Sequence, residues 1–241
     1  MSAMTNVDVE RLRQDFGHLD DINLIAAMRA VFGRDLAVVT SFGAESAVLL
    51  DLVARVDTRL PVIFLDTGKH FTETLLYRDK LIDELSLSDV RSIEPDPDDL
   101  RNHDPDGELF RRAPDSCCTL RKVRPLTRAL DGFGAWITGR KRFQTSMRAG
   151  MATLEAEAER IKVNPLARWS RNDVETYANE RGLAEHPLCR VGYTSIGCAP
   201  CTSLPVDTHD PRSGRWASSS KTECGIHNAT WSRSMPTRRR D

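Results

Sequence analysis

The sequence has no apolar run long enough to cross a membrane, and Met1 to Asp15 carries no signal-peptide pattern. These two absences set aside a membrane-spanning protein and a secreted one, and a cytoplasmic location is expected. An internal repeat is also missing, which excludes a solenoid or array. No recognised nucleic-acid-binding motif is present, so no nucleic-acid partner is expected. In a reducing compartment the six cysteines read as ligands, nucleophiles or core fillers, not as a disulfide framework.

What is present is an ordinary globular composition, 40% hydrophobic and 29% charged, over 241 residues. That length supports one sizeable core, or one core with a small appendage. The net charge of −1 hides an asymmetry. Residues 1–100 hold ten Lys and Arg against nineteen Asp and Glu; the remainder holds twenty-four against sixteen, together with every cysteine. A focused positive site for an anionic ligand fits this pattern, and so does a solvated basic surface, part of which is the tail Arg238-Arg239-Arg240.

Four of the thiols fall in two pairs. Cys117-Cys118 is followed by Arg121-Lys122, and Cys198-Ala199-Pro200-Cys201 comes about eighty residues later. Thiolates are soft ligands that suit zinc or an iron–sulfur cluster. Adjacent ligands are unusual in structural zinc sites, whose pairs stand two to four residues apart, so the pattern favours a four-iron cluster. Cys224, in Glu223-Cys224-Gly225-Ile226-His227, is a separate thiol, and Cys189 reads as a small core or surface residue.

Along the chain, residues 1–34 have helical periodicity, with Gly33 as a C-cap. Leu36–Phe42 predicts a buried strand that turns at Gly43 into a helix over Ala44–Val56. Such a turn sets backbone N–H groups at a helix N-terminus, where a phosphate can sit, although many crossovers of this kind hold no ligand. Pro61–Gly68 predicts a second strand, ending in polar residues and glycine, and Phe71–Leu85 a helix, hence parallel pairing and a right-handed crossover. Ser41 and Asp66 then fall at the carboxyl ends of strands, where open sheets bind ligands; a turn or capping carboxylate is the competing reading of Asp66.

Val90–Ile93 predicts a third strand, and residues 94–114 a long surface loop with one short helix. Cys117–Leu130 predicts a helix interrupted near Pro125. Ala135–Gly139 predicts a fourth strand running into Arg140-Lys141-Arg142, which reads as an anion clamp or a solvated turn. Residues 150–163 are ambiguous between an Ala/Glu-rich helix and a hairpin. Ser170 caps a helix to Glu180 closed by Gly182, and the chain is loop-rich after Pro187.

Taken together, Ser41-Phe42-Gly43-Ala44-Glu45-Ser46, Leu65-Asp66-Thr67-Gly68, Cys117-Cys118, Trp136–Arg142, Lys162–Leu166, Gly197–Thr202 and Glu223–His227 resemble the assimilatory sulfonucleotide reductases. The closest resemblance is to the adenylylsulfate (APS) reductase branch with an iron–sulfur cluster, and it covers Leu36 to His227. It implies an α/β fold of the adenine-nucleotide α-hydrolase type, with a mostly parallel sheet flanked by helices and a mobile C-terminal segment. It also implies a [4Fe-4S] cluster on Cys117, Cys118, Cys198 and Cys201, with Cys224 as the nucleophile. The four cluster cysteines favour APS over the 3′-phosphorylated substrate (PAPS), since PAPS reductases lack them.

The implied reaction expels AMP from APS, leaves a sulfonate on Cys224 and releases sulfite to thioredoxin or glutaredoxin. Lys122 and His227 join Cys224 as catalytic candidates. The substrate-binding candidates are Ser41, Phe42, Gly43, Glu45, Ser46, Leu65, Asp66, Gly139, Arg142, Arg212 and Arg215. Lys221 and His227 are expected to lower the pKa of Cys224. The loop has Phe42-Gly43 where relatives with a fuller Ser-Gly-Gly turn have a second small residue. The organisation expected is an N-terminal helical region over 1–34, a nucleotide- and cluster-binding domain over 35–204, and a segment over 205–241 carrying the catalytic cysteine. Whether the chain forms a homo-oligomer is left open. A PAPS reductase, an ATP-dependent RNA-thiolating enzyme and a non-catalytic zinc-stabilised nucleotide-binding module are the rival readings.

Overall fold

The structure is a computed structural model that describes residues 6–207, 210–217, 221 and 223–227. The basic tail lies outside the described residues. Helices α1 (Asn6–Phe16) and α2 (Asp21–Phe32) lead into strand β1 (Leu36–Thr40), and then come α3 (Ser46–Val56), β2 (Val62–Leu65), α4 (Thr72–Glu84) and β3 (Val90–Ile93). The stretch expected to be mostly aperiodic contains α5 (Pro97–His103) and α6 (Leu109–Arg112). Asp96 starts α5 by accepting the N–H groups of Asp98 and Asp99.

Helix α7 (Pro114–Cys118) continues through a widened turn, Thr119–Val123, into α8 (Arg124–Ala129). The widening immediately precedes Pro125, which has no N–H to return to the preceding turn. Strand β4 (Ala135–Thr138), strands β5 (Leu154–Glu157) and β6 (Arg160–Val163), and helix α9 (Arg171–Glu180) complete the frame. The ambiguous stretch is therefore a hairpin in its second half, and Ala158 takes φ +54° at its tight turn. Among the described residues no helix is long and apolar enough to cross a membrane.

The six strands form one sheet in the order β3-β2-β1-β4-β6-β5, parallel except for the β5–β6 pair. All positions of β1, β2 and β4 are buried, and all but the terminal Thr40 and Thr138 are apolar. Side chains alternate between two faces. Val38, Val62, Phe64 and Ile137 pack under α2, α3 and α4. Ala37, Val39, Ile63 and Trp136 pack against Leu126 and Leu130 around α8, where Ile226 also lies. The chain runs outward from β1 through β2 to β3, then returns to β4 on the other side of β1. That reversal opens a crevice between the carboxyl ends of β1 and β4.

His186 is fully buried, and its Nδ1 accepts the N–H of Leu188 at 3.2 Å. Its Nε2 therefore carries the proton and donates to Thr74 Oγ1 at 3.0 Å. Protonating Nδ1 would face one donor with another, and burial depresses the pKa from 6.5 to about 4. The native state thus refuses a proton that the unfolded chain accepts below 6.5. Stability is lost as pH falls from 6.5 toward 4, by about 2 kcal/mol between pH 7 and pH 5. Urea unfolding at the two pH values should show this loss for the native chain, and a smaller one for His186→Gln.

Candidate active site

A cavity of about 230 Å³ sits in the crevice between β1 and β4. Its floor is the β1–α3 loop. Gly43 lies close under Ile196, since a Cβ there would stand 3.1 Å from the Ile196 carbonyl. Ser41, Gly43, Glu45 and Ser46 line the cavity, as do Leu65 and Gly139 from the ends of β2 and β4. Helix α3 has no side-chain cap at its N-terminus, so none of its first-turn N–H groups is taken by its N-cap side chain. Phe42 does not line the cavity. It takes φ +48° and turns its fully buried ring into the core, edge-on to Phe64 with centroids 5.5 Å apart.

Of the three cations after β4, Arg140 and Lys141 line the cavity but are already paired to carboxylates, and Arg142 is not in the lining. Arg140 is ion-paired to Glu155, and its Nη2 also donates to Asn164 Oδ1 at 3.1 Å. Lys141 is buried and bonded to Glu45 Oε2 at 2.7 Å, beside Gln144 Nε2 at 2.8 Å. Burial works against the Glu45 charge, but Lys141, Gln144 and Arg171 outweigh it and hold the carboxyl below its usual range. Arg142 faces away from the cavity, its Nε donating to the Met151 carbonyl at 2.8 Å. Asp66 also stands outside the lining, accepting the Gly68 N–H at 3.0 Å in the capping-turn role that competed with ligand binding.

The cations that line the cavity from elsewhere are Lys122, Arg148, Arg171, Arg212 and Arg215. Arg148 and Arg171 are not evident in the sequence, because residues 145–150 carry no periodic signal and Arg171 reads as the first residue of a surface helix. Arg212 and Arg215 arrive on the loop after Leu204. Arg215 lies over the Trp216 ring at 4.6 Å, packed so tightly on Gly197 that a Cβ there would overlap its guanidinium group.

The far wall is the strap Glu223–His227. Cys224 is half-buried and lines the cavity with Glu223, Ile226 and His227. His227 stacks on Trp136, with rings 7° from parallel and centroids 5.8 Å apart. Burial, with Arg140, Lys162, Arg148 and Arg212 around it, drives its pKa well below 6.5. His227 is neutral near pH 7, so it cannot lower the pKa of Cys224 as an imidazolium. Lys221 is ion-paired to Asp115, with its ammonium 5.5 Å from the Trp216 ring.

Beside the cavity lies a second, smaller pocket lined by Cys117, Cys118, Cys198 and Cys201. The first pair ends α7, and the second flanks a single tight turn. That turn is tied to the segment after β2 by the Ala199 N–H to the Lys69 carbonyl at 2.7 Å and by Thr67 Oγ1 against Cys198 Sγ at 3.3 Å. Arg121 braces the same segment, bonding Asp104 Oδ2 at 2.6 Å and the Thr67 carbonyl at 2.8 Å. All six cysteines are unbridged, and burial pushes the thiol of Cys117 up to about 11 and that of Cys118 to about 12. Burial would also raise Cys198, but Lys122, the Thr67 hydroxyl and Arg215 bring it below its ordinary value.

Among the described residues, no group of three or more His, Cys, Asp or Glu side chains is placed to hold a metal ion. Lys122 and Trp216 line both pockets and form their common wall. Burial works against the Lys122 ammonium, yet Cys198, Cys224 and Cys118 outweigh it and raise its pKa.

Residues 35–204 match the phosphoadenosine phosphosulfate reductase domain. An adenosine 5′-phosphosulfate reductase from Mesorhizobium japonicum is 50% identical over 88% of this chain and 84% of its own. One from Chelativorans sp. is 47% identical over 92% of each chain. Among solved structures, a phosphoadenylyl-sulfate reductase from Candida auris superposes with a TM-score of 0.70 at 24% identity, covering 84% of this chain and 99% of its own. Yeast FAD synthetase superposes at 0.56 and 13% identity, covering 86% and 71%. The fold is thus that of the adenine-nucleotide α-hydrolase-like proteins, as the motifs implied. By its matching domain, and by identity spread over most of both chains, this protein belongs to the adenosine 5′-phosphosulfate reductase family.

Proposed function

We propose that the chain reduces adenosine 5′-phosphosulfate to sulfite and AMP at the cavity between β1 and β4, in assimilatory sulfate reduction. The observation that carries this reading is the shared lining: Cys224, Lys122, Arg212 and Arg215 face the same space as the β1–α3 loop. The Cys224 thiolate attacks the sulfate sulfur. An S–S bond forms as the bond from sulfur to the bridging oxygen breaks, and the electron pair leaves with AMP. A dithiol of the thioredoxin or glutaredoxin class attacks Cys224 Sγ, expels sulfite, and closes its own disulfide to restore the Cys224 thiol. Cationic side chains at the bridging oxygen and the leaving phosphate stabilise the charge that develops there.

We further propose that Cys117, Cys118, Cys198 and Cys201 hold a [4Fe-4S] cluster. The donor chemistry suits a cluster, although the side chains are not gathered around a single ion: four thiols border one pocket, thiolates are the ligands such clusters take, and Arg121 and Lys122 at its edge offset their charge. When bound, the cluster supplies a cross-link and a local field between α7 and the 198–201 turn, while the electrons come from the dithiol. Cys201→Ser should yield protein with most of its iron, acid-labile sulfide and visible absorption gone. Full retention of all three would remove Cys201 from the ligand set.

The deciding experiment offers APS and PAPS separately to anaerobically purified protein with thioredoxin and measures sulfite. Release from APS alone is expected. Release mainly from PAPS would keep the chemistry and discard the substrate assignment, and none from either would discard the function.

A further inference from the structure

We propose that Phe110 shields the thiol pocket. Held in place by the Asp104–Arg121 pair, it closes the solvent side and keeps water and small solutes from the thiols and the group they hold. This role rests on the cluster reading of Cys117, Cys118, Cys198 and Cys201. Its ground is the make-up of the pocket wall. Lys122 and Trp216 form the side shared with the cavity, and Arg121 is buried. What remains of the lining besides the thiols is Lys69, Phe110, Pro114 and Pro200, each half-buried or exposed. These four are the solvent side.

Phe110 is the bulkiest apolar group among them, and it is held differently from the rest. Pro200 stands inside the 198–201 turn, which the Ala199 N–H ties to the Lys69 carbonyl at 2.7 Å. Pro114 opens the helix that carries Cys117 and Cys118. Phe110 sits on α6, a four-residue helix with no thiol of its own and too short to hold its shape alone. Its support comes from Asp104. One carboxylate oxygen, Oδ1, accepts the Leu109 N–H at 2.8 Å. The other, Oδ2, takes Arg121 as Nε at 3.1 Å and Nη2 at 2.6 Å. The Asp104 side chain is 0% exposed and that of Arg121 9%, so bulk water screens the pair weakly.

Arg121 stands three residues past Cys118, and its Nη1 also donates to the carbonyl of Thr67, whose hydroxyl meets Cys198 Sγ. One guanidinium thus fixes α6 against the segments that carry both thiol pairs. The Phe110 ring is itself pinned by cations, with Lys69 Nζ 5.1 Å and the Arg111 guanidinium 5.4 Å from its centroid. Apolar side chains around a metal group govern how water reaches it. The pocket therefore has two approaches, one through the Lys122–Trp216 wall and one past Phe110. They are separable, because Phe110 does not line the cavity. A nucleotide in the cavity covers the first approach and leaves the second as it was.

The test uses anaerobically purified holoenzyme and follows iron release to a chromogenic chelator. Phe110→Ala should release iron roughly tenfold faster than the native chain, and Phe110→Leu, which keeps an apolar group there, should fall between them. Anaerobic kcat and KM for APS should stay within about twofold for both variants. Saturating AMP should slow release from the native chain and leave the added rate of Phe110→Ala unchanged. Equal release by the native chain and Phe110→Ala would overturn the shield. So would an added rate that AMP abolishes, since access would then run through the cavity. A native chain purified without iron would discard the cluster reading alone. In that protein the shield is read as alkylation of Cys201 by iodoacetamide, expected to be faster in Phe110→Ala; equal rates would overturn it.

Discussion

Cys224→Ser is expected to lower sulfite release from APS by about 10⁴-fold or more while leaving AMP binding within about twofold. The hydroxyl is close in size to the half-buried thiol it replaces, so the lining of the cavity changes little. Its chemistry changes completely. A serine hydroxyl is scarcely ionised at neutral pH, and a sulfate ester formed on oxygen has no S–S bond for a dithiol to cleave. The substitution therefore blocks both capture and release. Single-turnover assays should show no AMP formed beyond background and no sulfonated peptide. Turnover within tenfold of the native chain would place the nucleophile elsewhere.

Lys122→Met should cost about 10²–10³-fold in kcat/KM for APS, the range seen when one charge-stabilising donor is removed from a water-poor site. Lys122 is the side chain with the most to lose because it serves two environments at once, facing Cys224 in the cavity and Cys118 and Cys198 behind it. Methionine keeps the bulk and removes the charge. Iron content measured alongside the kinetics separates two ways of failing. Loss of activity with iron retained assigns the ammonium to the substrate, and loss of both assigns it first to the thiol pocket. Unchanged kcat/KM would refute either role.

The strands that carry the site were legible because β1, β2 and β4 are apolar runs broken only by the terminal Thr40 and Thr138, a signal that survives without any partner in view. The β5–β6 hairpin is legible only as an alternative to a helix. Its Ala and Glu residues favour a helix locally, and parallel pairing of Ile161 with Ala135 and Val163 with Ile137 makes β6 a strand. Of helices α5 and α6 only one short helix is expected from sequence, since both are brief and lie in an acidic, proline-containing stretch. Within the site, Ser41, Gly43 and Cys224 could be placed because motifs fix the backbone. Arg142 and Arg148 could not be told apart: only the turns after β4 decide that one guanidinium reaches Met151 and the other reaches Glu223.

The margins of the sheet carry a consequence for self-association. An open sheet is a template for another strand wherever its outer edge is long and apolar. Here β3 ends one side with four residues, Val90-Arg91-Ser92-Ile93, whose middle pair is exposed and polar, and Pro95 and Pro97 follow at once. On the other side β5 is equally short and carries Glu155 and Glu157, and the Leu154 carbonyl already accepts the guanidinium of Arg13 from α1 at 2.9 Å. Neither edge is both long and apolar, as strand addition by a second copy would need. Edge-to-edge strand pairing between two copies is thus disfavoured at both margins, and partial unfolding at either margin is poorly suited to seeding fibrillar aggregation.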